Sequence, residues 1–261
     1  MQIGAMNNPQ RDVLDEMRWM ADMGLDFIDL TLEPPRAATW QIDIDAIQQA
    51  LEHYRLGIVG HTAYYLPIAS PFESLRKAAV AELKRCMDVF ARLHVKWMNI
   101  HPDRYAPLHD RKFYVSRDLE SLRELLDHSA RTGVNLMIEN LPGEFNTVEQ
   151  LAELLEPLPE LGLHLDIGHS NLLTDVNTAD EIIRVYARRL WHVHLHDNKG
   201  GGSDLHLPLG AGTMNVGRHV RTLKASGYDG TITLEVFSED RSYLAHSRDI
   251  LKRLWNTGVA A

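Results

Sequence analysis

Eight short apolar runs, each followed by an amphipathic stretch, constrain this chain more than any other feature. The strand candidates are Gln2–Ala5, Phe27–Leu32, Ile58–His61, Trp97–His101, Asn135–Glu139, Leu163–Asp166, Leu190–His194 and Thr231–Glu235. They are short, often β-branched and bounded by turn residues. Helical patterns lie between them. Arg11–Met23 carries Val13, Leu14, Met17, Met20 and Ala21 on one stripe. Leu75–Leu93 and Ser116–Thr132 repeat the stripe, and the second stops at Gly133, where a left-handed residue suits a helix end. Thr147 with Gln150 three residues later fits a capping box before LAELLEPL. Val216–Ser226 stops at Gly227, and a last helix covers about Tyr243–Thr257. Parallel strands need crossover helices. Eight βα units therefore predict an α/β fold, a closed (β/α)8 TIM barrel, read as a single domain over residues 1–261. No GxGxxG turn follows the first strand, which argues against a dinucleotide-binding sheet.

Composition narrows the function classes. The formal charge of -9 provides no basic footprint for nucleic acid. Cys86 is the only cysteine, so no intrachain disulfide can form, and its helical surroundings read as a packed thiol. No apolar stretch approaches the ~20 residues that span a membrane, and the expectation is a soluble, cytoplasmic protein. Histidine is the outlier, with 14 residues.

Those histidines and several carboxylates fall at strand ends. The third to eighth strands end in His61, His101, Glu139, Asp166, His194 and Glu235. In a barrel these ends converge on the face where catalysis is built. Alternation supports the placement: Glu235 shares a strand face with Thr231 and Thr233, opposite Ile232 and Leu234. His192, His194 and His196 share a face in the same way. Several buried carboxylates without counter-charge are costly, and a divalent cation removes that cost. The following loops add His169, Asp204 and His206. The remaining histidines, His53, His94, His109, His128, His219 and His246, read as ordinary surface residues.

The segments GHTAYYLPI, MNIHPD, LMIENLPG, LHLDIGHSN, HVHLHDNKG, DLHLPLGAG and ITLEV, in this order, resemble the xylose-isomerase-like barrel superfamily. That superfamily holds sugar isomerases, sugar epimerases and the endonuclease IV nucleases of abasic DNA. The resemblance implies one divalent metal ion (Mn, Mg, Zn, Fe or Co) held by Glu139, Asp166, His194 and Glu235, with His196 a rival for His194. Its nuclease branch implies three zinc ions, with His61, His101, His169, Asp204 and His206 as additional ligands. It also implies a possible homo-oligomer.

Two enzymatic readings follow. The first is a sugar isomerase or epimerase acting by metal-stabilised enediolate proton transfer. Glu139 and Glu235 exchange the proton, and His169 and His101 contact substrate oxygens. In that reading Glu33 holds a hydroxyl, and Trp40, Tyr64 and Tyr65 line a sugar-facing wall. The partner is then a small sugar-like molecule, with no membrane involved. The second reading is a multi-zinc phosphodiesterase acting on abasic DNA, with Tyr64 or Tyr65 as a wedge; only here is nucleic acid a partner. A barrel that merely binds a small molecule is a third reading. Gly210 and Gly212 precede a helix, a junction that can take a phosphate on its backbone amides.

Overall fold

The structure, a computed structural model, describes residues 1–104 and 108–257. The expected domain end at residue 261 lies outside the described residues. Eight parallel strands close into a barrel in the order β1 to β8. They are β1 (Gln2–Met6), β2 (Phe27–Leu32), β3 (Gly57–Thr62), β4 (Trp97–Ile100), β5 (Asn135–Glu139), β6 (Gly162–Asp166), β7 (Leu190–Leu195) and β8 (Thr231–Leu234). The alternating helices are α1 (Val13–Asp22), α2 (Ile44–Tyr54), α3 (Glu73–Arg92), α4 (Arg111–Thr132), α5 (Val148–Leu155), α6 (Ala179–Tyr186), α7 (Val216–Ala225) and α8 (Ser242–Thr257). All eight expected strands are present, within one or two residues at each end. No described helix is long and apolar enough to cross a membrane.

Local signals set the helix ends. Asp12, Asp43 and Asp110 cap α1, α2 and α4 by accepting backbone N–H groups of the first turn. The capping box of α5 is reciprocal: Gln150 N–H donates to Thr147 Oγ1 at 3.3 Å, and Thr147 N–H donates to Gln150 Oε1 at 3.1 Å. Gly133 ends α4 at φ +77°, as its position predicts. Two helices, α2 and α6, were not placed by periodicity. For α6 a signal exists in Ala179, Ile182, Ile183 and Tyr186, spaced i, i+3, i+4 and i+7 and buried on one face. For α2 the signal exists, in the Asp43 cap followed by Ile44, Ile47 and Leu51.

By internal contacts the chain divides into two compact units. One, here the N-terminal unit, comprises Met6–Glu139 and Ala152–Gly162. The other, the C-terminal unit, comprises Met1–Ala5, Asn140–Leu151 and the chain from Leu163 on.

In the N-terminal unit β2 pairs with β3 along its whole length, from Phe27 opposite Gly57 to Leu32 opposite Thr62. β4 pairs with β5 from Trp97 opposite Asn135 to Ile100 opposite Ile138. Phe27, Leu30, Met98, Leu136 and Ile138 are buried, as expected of parallel strands covered on both faces. Burying each such side chain contributes roughly 1.5–3 kcal/mol.

In the C-terminal unit the register places the chemistry directly. An irregularity at Leu163/His164 shifts β6 so that His164 pairs with His192 and Asp166 with His194. β7 then sets His192 beside Thr231 and His194 beside Thr233. The expected alternation in β8 holds, since Thr231 and Thr233 point at His192, with Oγ1 atoms 2.7 and 3.1 Å from its two ring nitrogens.

Candidate metal centre

In the N-terminal unit, β3, β4 and β5 bring His61, His101 and Glu139 together at their C-terminal ends, all three buried. Glu139 Oε2 accepts from Asn99 Nδ2 at 2.6 Å and lies 2.8 Å from His101 Nε2 and 3.8 Å from His61 Nε2. His61 Nδ1 meets Thr31 Oγ1 at 3.3 Å, which turns Nε2 toward the carboxylate. Further out stand Tyr64 and Tyr65, edge to face with ring centroids 5.5 Å apart. The Tyr65 hydroxyl donates to Glu33 Oε1 at 2.7 Å. Burial, then the neighbouring Glu33 carboxylate, pushes the Tyr65 hydroxyl up to about 12, so it remains a donor at neutral pH.

The C-terminal unit gathers Asp166, His169, His194, His196, Asp204, His206 and Glu235. His194 Nδ1 is 3.2 Å from Glu235 Oε2 and 4.0 Å from Asp166 Oδ2. His196 Nε2 is 3.4 Å from Asp166 Oδ1 and 3.5 Å from Asp204 Oδ1. The two histidines are therefore not rivals: His194 faces Glu235, while His196 stands between the two aspartates. His169 N–H donates to Asp166 Oδ1 at 2.8 Å, which ties the loop after β6 to the strand end.

Ring tautomers sharpen the picture. A backbone carbonyl only accepts. His169 Nδ1, 3.1 Å from the Asn140 carbonyl, and His206 Nδ1, 3.1 Å from the Glu235 carbonyl, are therefore donors. Each ring is thus held by its Nδ1 side and presents Nε2 to the same atom, Asp204 Oδ2, at 3.1 and 3.0 Å. This is the orientation that outer hydrogen bonds give metal-ligating histidines. Burial opposes ionisation of Asp204, but His169 and His206 hold its carboxyl well below the usual range. Burial likewise opposes protonation of His206, yet Asp204 and Glu235 raise it to about 9. A concentration of negative charge thus waits for positive charge, supplied by protons or by a metal.

Among the described residues, His61, His101 and Glu139 form one group whose ligand atoms all lie within 4.8 Å of one another. Asp166, His169, His196 and Glu235 form a second such group, and His169, His196, Asp204 and His206 a third. The donor set fits a divalent ion. Glu235 Oε2 and His196 Nε2 are buried and make no hydrogen bond among the described residues. Ligand distances of about 2.0–2.2 Å place neighbouring ligand atoms roughly 3.0–3.5 Å apart, the range of several separations above.

Several residues that position these groups carry no signal of their own in the sequence. Asn140 accepts from Asp166 N–H at 2.7 Å and donates to Asn146, Ser170 and the Asp166 carbonyl. Asn146 in turn holds the His169 and Leu172 carbonyls. Gly168 has no room for a side chain, because an added Cβ would lie 2.2 Å from His196 Nε2. His164 and His192, fully buried, sit one strand layer below Asp166 and His194, with the His164 and His194 rings 4.1 Å apart. Alternation in LHLD and WHVHLH was the available signal for that pair.

Two expectations are corrected. The Gly210–Gly212 junction is not open to phosphate. Asp197 fills it, its Oδ2 accepting from Gly210 and Gly212 N–H at 2.9 and 3.0 Å and its Oδ1 from Asn198 and Met214 N–H at 2.8 and 3.2 Å. The surface reading of His219 also fails: it is buried, with Nδ1 2.8 Å from Asp180 Oδ1.

Comparison with known proteins agrees with this architecture. The family model described as Xylose isomerase-like TIM barrel matches residues 17–254. A probable endonuclease 4 of Aquifex aeolicus is 25% identical over 240 residues, covering 82% of this chain and 83% of its own. Fructoselysine 3-epimerase of Escherichia coli O157:H7 is 24% identical over 253 residues, covering 89% of each chain. The crystal structure of a D-tagatose 3-epimerase-like protein superimposes with a TM-score of 0.88 at 24% identity, over 99% of this chain and 98% of the other. At that identity the likeness establishes the fold.

Proposed function

The chain belongs to the xylose isomerase-like TIM barrel family, and from that premise we propose that it is a metal-dependent isomerase or epimerase of a sugar or sugar derivative. The observation that carries the reading is a pair of buried carboxylates, Glu139 ending β5 and Glu235 just past β8. Each presents Oε2 to a histidine nitrogen, His101 Nε2 and His194 Nδ1 respectively.

In this reading Glu139, Asp166, His194 and Glu235 hold one divalent ion, and the substrate is a small hydroxy-carbonyl compound. A bound ion would polarise adjacent carbonyl and hydroxyl oxygens and so acidify the C–H between them. Glu139 and Glu235 serve as the proton-transfer pair at that carbon. Asn99 and His101 orient the first, and His194 and His206 orient the second. His169, fixed through Asn140 and Asp166, contributes Nε2 as a hydrogen-bonding group for a substrate oxygen or as a further ligand.

The test is solvent exchange. Purified protein, reconstituted separately with Mn2+, Mg2+, Zn2+, Fe2+ and Co2+, is incubated in D2O with a panel of ketoses and followed by mass spectrometry. Deuterium incorporation at a carbon beside the carbonyl, lost in Glu139→Gln and Glu235→Gln, is the expected result. Exchange with no sugar under any metal rejects the reading.

One observation favours a second reading, a multi-zinc phosphodiesterase. The His169–Asp204–His206 and His61–His101–Glu139 groups offer more ligands than one ion needs. About three zinc ions per chain by elemental analysis, together with nicking of an abasic-site duplex, would establish it. The net charge of -9 weighs against that reading, since phosphate contacts dominate affinity for DNA.

A further inference from the structure

Parallel barrels are filled in layers, and bulky branched apolar side chains ordinarily dominate them. In the C-terminal unit the layer beneath Asp166 and His194 is polar. His164 on β6, His192 on β7 and Thr231 on β8 are buried there, both histidines at 0% exposure. Buried polar groups are costly where apolar ones fill the space well, and apolar replacements are often neutral or stabilising. Packing alone therefore does not account for this layer.

Strand register puts the two histidines there together. Leu163 pairs with Leu190, so an unbroken register would set His164 beside Trp191 and Asp166 beside Val193. The irregularity at Leu163/His164 skips one residue of β7, which brings His164 beside His192 and Asp166 beside His194. One shift thus pairs two proposed ligands and the two histidines beneath them.

His192 is complemented on both edges, with Thr231 Oγ1 2.7 Å from Nδ1 and Thr233 Oγ1 3.1 Å from Nε2. A hydroxyl can donate or accept, so the pair fits a neutral imidazole and fixes the ring. His164 stands against it with ring centroids 4.8 Å apart, and meets the His194 ring edge to face at 4.1 Å. His194 turns Nδ1 toward Glu235 and Asp166, at 3.2 and 4.0 Å, which directs Nε2 away from those carboxylates. One ring nitrogen from each of His164, His192 and His194 lies within 4.8 Å of the other two. A ligating histidine is oriented through its second nitrogen, and loss of that partner costs about 10–100-fold in metal affinity.

We infer that His164, braced by His192, is the positioning residue for His194: it meets the inner edge of that ring and holds Nδ1 on the carboxylate side as the ligand atom. The inference rests on the proposed divalent-ion centre and adds to it an uncharged outer partner, in a place a carboxylate often takes. Asp166 and Glu235 already bring negative charge to His194, and a neutral imidazole orients the ring without adding more.

The test separates orientation from packing. Metal-free protein is titrated with Mn2+ by calorimetry and with Co2+, whose visible absorption reports ligand geometry. Melting midpoints of the metal-free chains are measured alongside. His164→Phe and His164→Leu fill the layer with apolar atoms, so their metal-free midpoints should be unchanged or higher. Both should nevertheless bind about tenfold more weakly or worse, with an altered Co2+ band. His164→Gln keeps a hydrogen-bonding edge and should bind within about threefold of the wild type, with the wild-type band. Wild-type affinity and spectrum in either apolar variant overturns the inference. So does a loss in His164→Gln as deep as in His164→Phe, or failure of both apolar variants to fold, which would make His164 a structural residue. The wild type separates the claims: no divalent ion bound sinks the metal centre and this inference together, whereas metal binding without deuterium exchange into any ketose sinks only the isomerase or epimerase reading.

Discussion

Asp197 shows how much one side chain can organise. Four backbone N–H groups converge on its carboxylate, and its own backbone pairs with Leu207 in both directions at 2.9 and 2.8 Å. The two arms of the loop after β7 are thereby clamped, and Asp204 and His206 lie between the clamped points. Removing the carboxylate would strand those donors, and a buried group left unsatisfied costs about 1–3 kcal/mol. Asp197→Ala is therefore expected to lose about 3 kcal/mol in urea denaturation and to expose residues 199–214 to limited proteolysis. Gly168 makes the complementary case. Its Cβ-free backbone lets His196 approach Asp166, and Gly168→Ala should cost about 1–3 kcal/mol through overpacking and weaken metal binding in calorimetry. Unchanged stability and metal affinity in Gly168→Ala would reject that account. Neither role was legible in the sequence, where Asp197 is one residue of HLHDNKG and Gly168 one of LDIGHSN.

At the scale of elements, α6 and α7 are joined by a buried polar staple. Asp180 at the start of α6 accepts from His219 on α7 at 2.8 Å and pairs with Arg218 Nε at 2.6 Å. Burial opposes ionisation of Asp180, but His219, Thr222 and Arg218 together hold its carboxyl below the usual range. A folded-state value below the unfolded one means the pair stabilises the fold above about pH 4 and loses that contribution as pH falls through the folded value. Asp180→Asn should therefore cost about 2 kcal/mol at pH 7. It should also flatten the dependence of stability on pH between about 5 and 3. An Asp180→Asn profile parallel to that of the wild type would remove the staple. The sequence places α7 well, by its stripe and its Gly227 stop, whereas α6 has a stripe but no side-chain cap hydrogen bond to mark its start. The burial of His219 follows from α6, because that helix supplies its partner Asp180.

For the whole molecule, ligand linkage provides the test. Any ion that binds the folded chain alone stabilises it by mass action, about 2.7 kcal/mol at one hundred times Kd. For a chain of this length that is about 5–10 °C in melting midpoint. Divalent ions should produce such a rise in the wild type and a much smaller one in Glu235→Gln. The Cys86 thiol gives an independent readout: burial pushes it up to about 12, so it should resist disulfide reagents until the barrel opens. What the sequence determined by itself was local: strand and helix periods, caps, and the face on which each strand residue points. Those follow from backbone geometry over a few residues, so the barrel and the strand-end positions of His61, His101, Glu139, Asp166, His194 and Glu235 were readable. Tertiary structure decided which atoms meet. That His169 and His206 turn Nε2 to one Asp204 oxygen, that Asp197 closes the amide nest, and that the Tyr65 hydroxyl meets Glu33 depend on how the loops pack. Packing of loops and strand ends within each unit, rather than backbone geometry over a few residues, sets their distances.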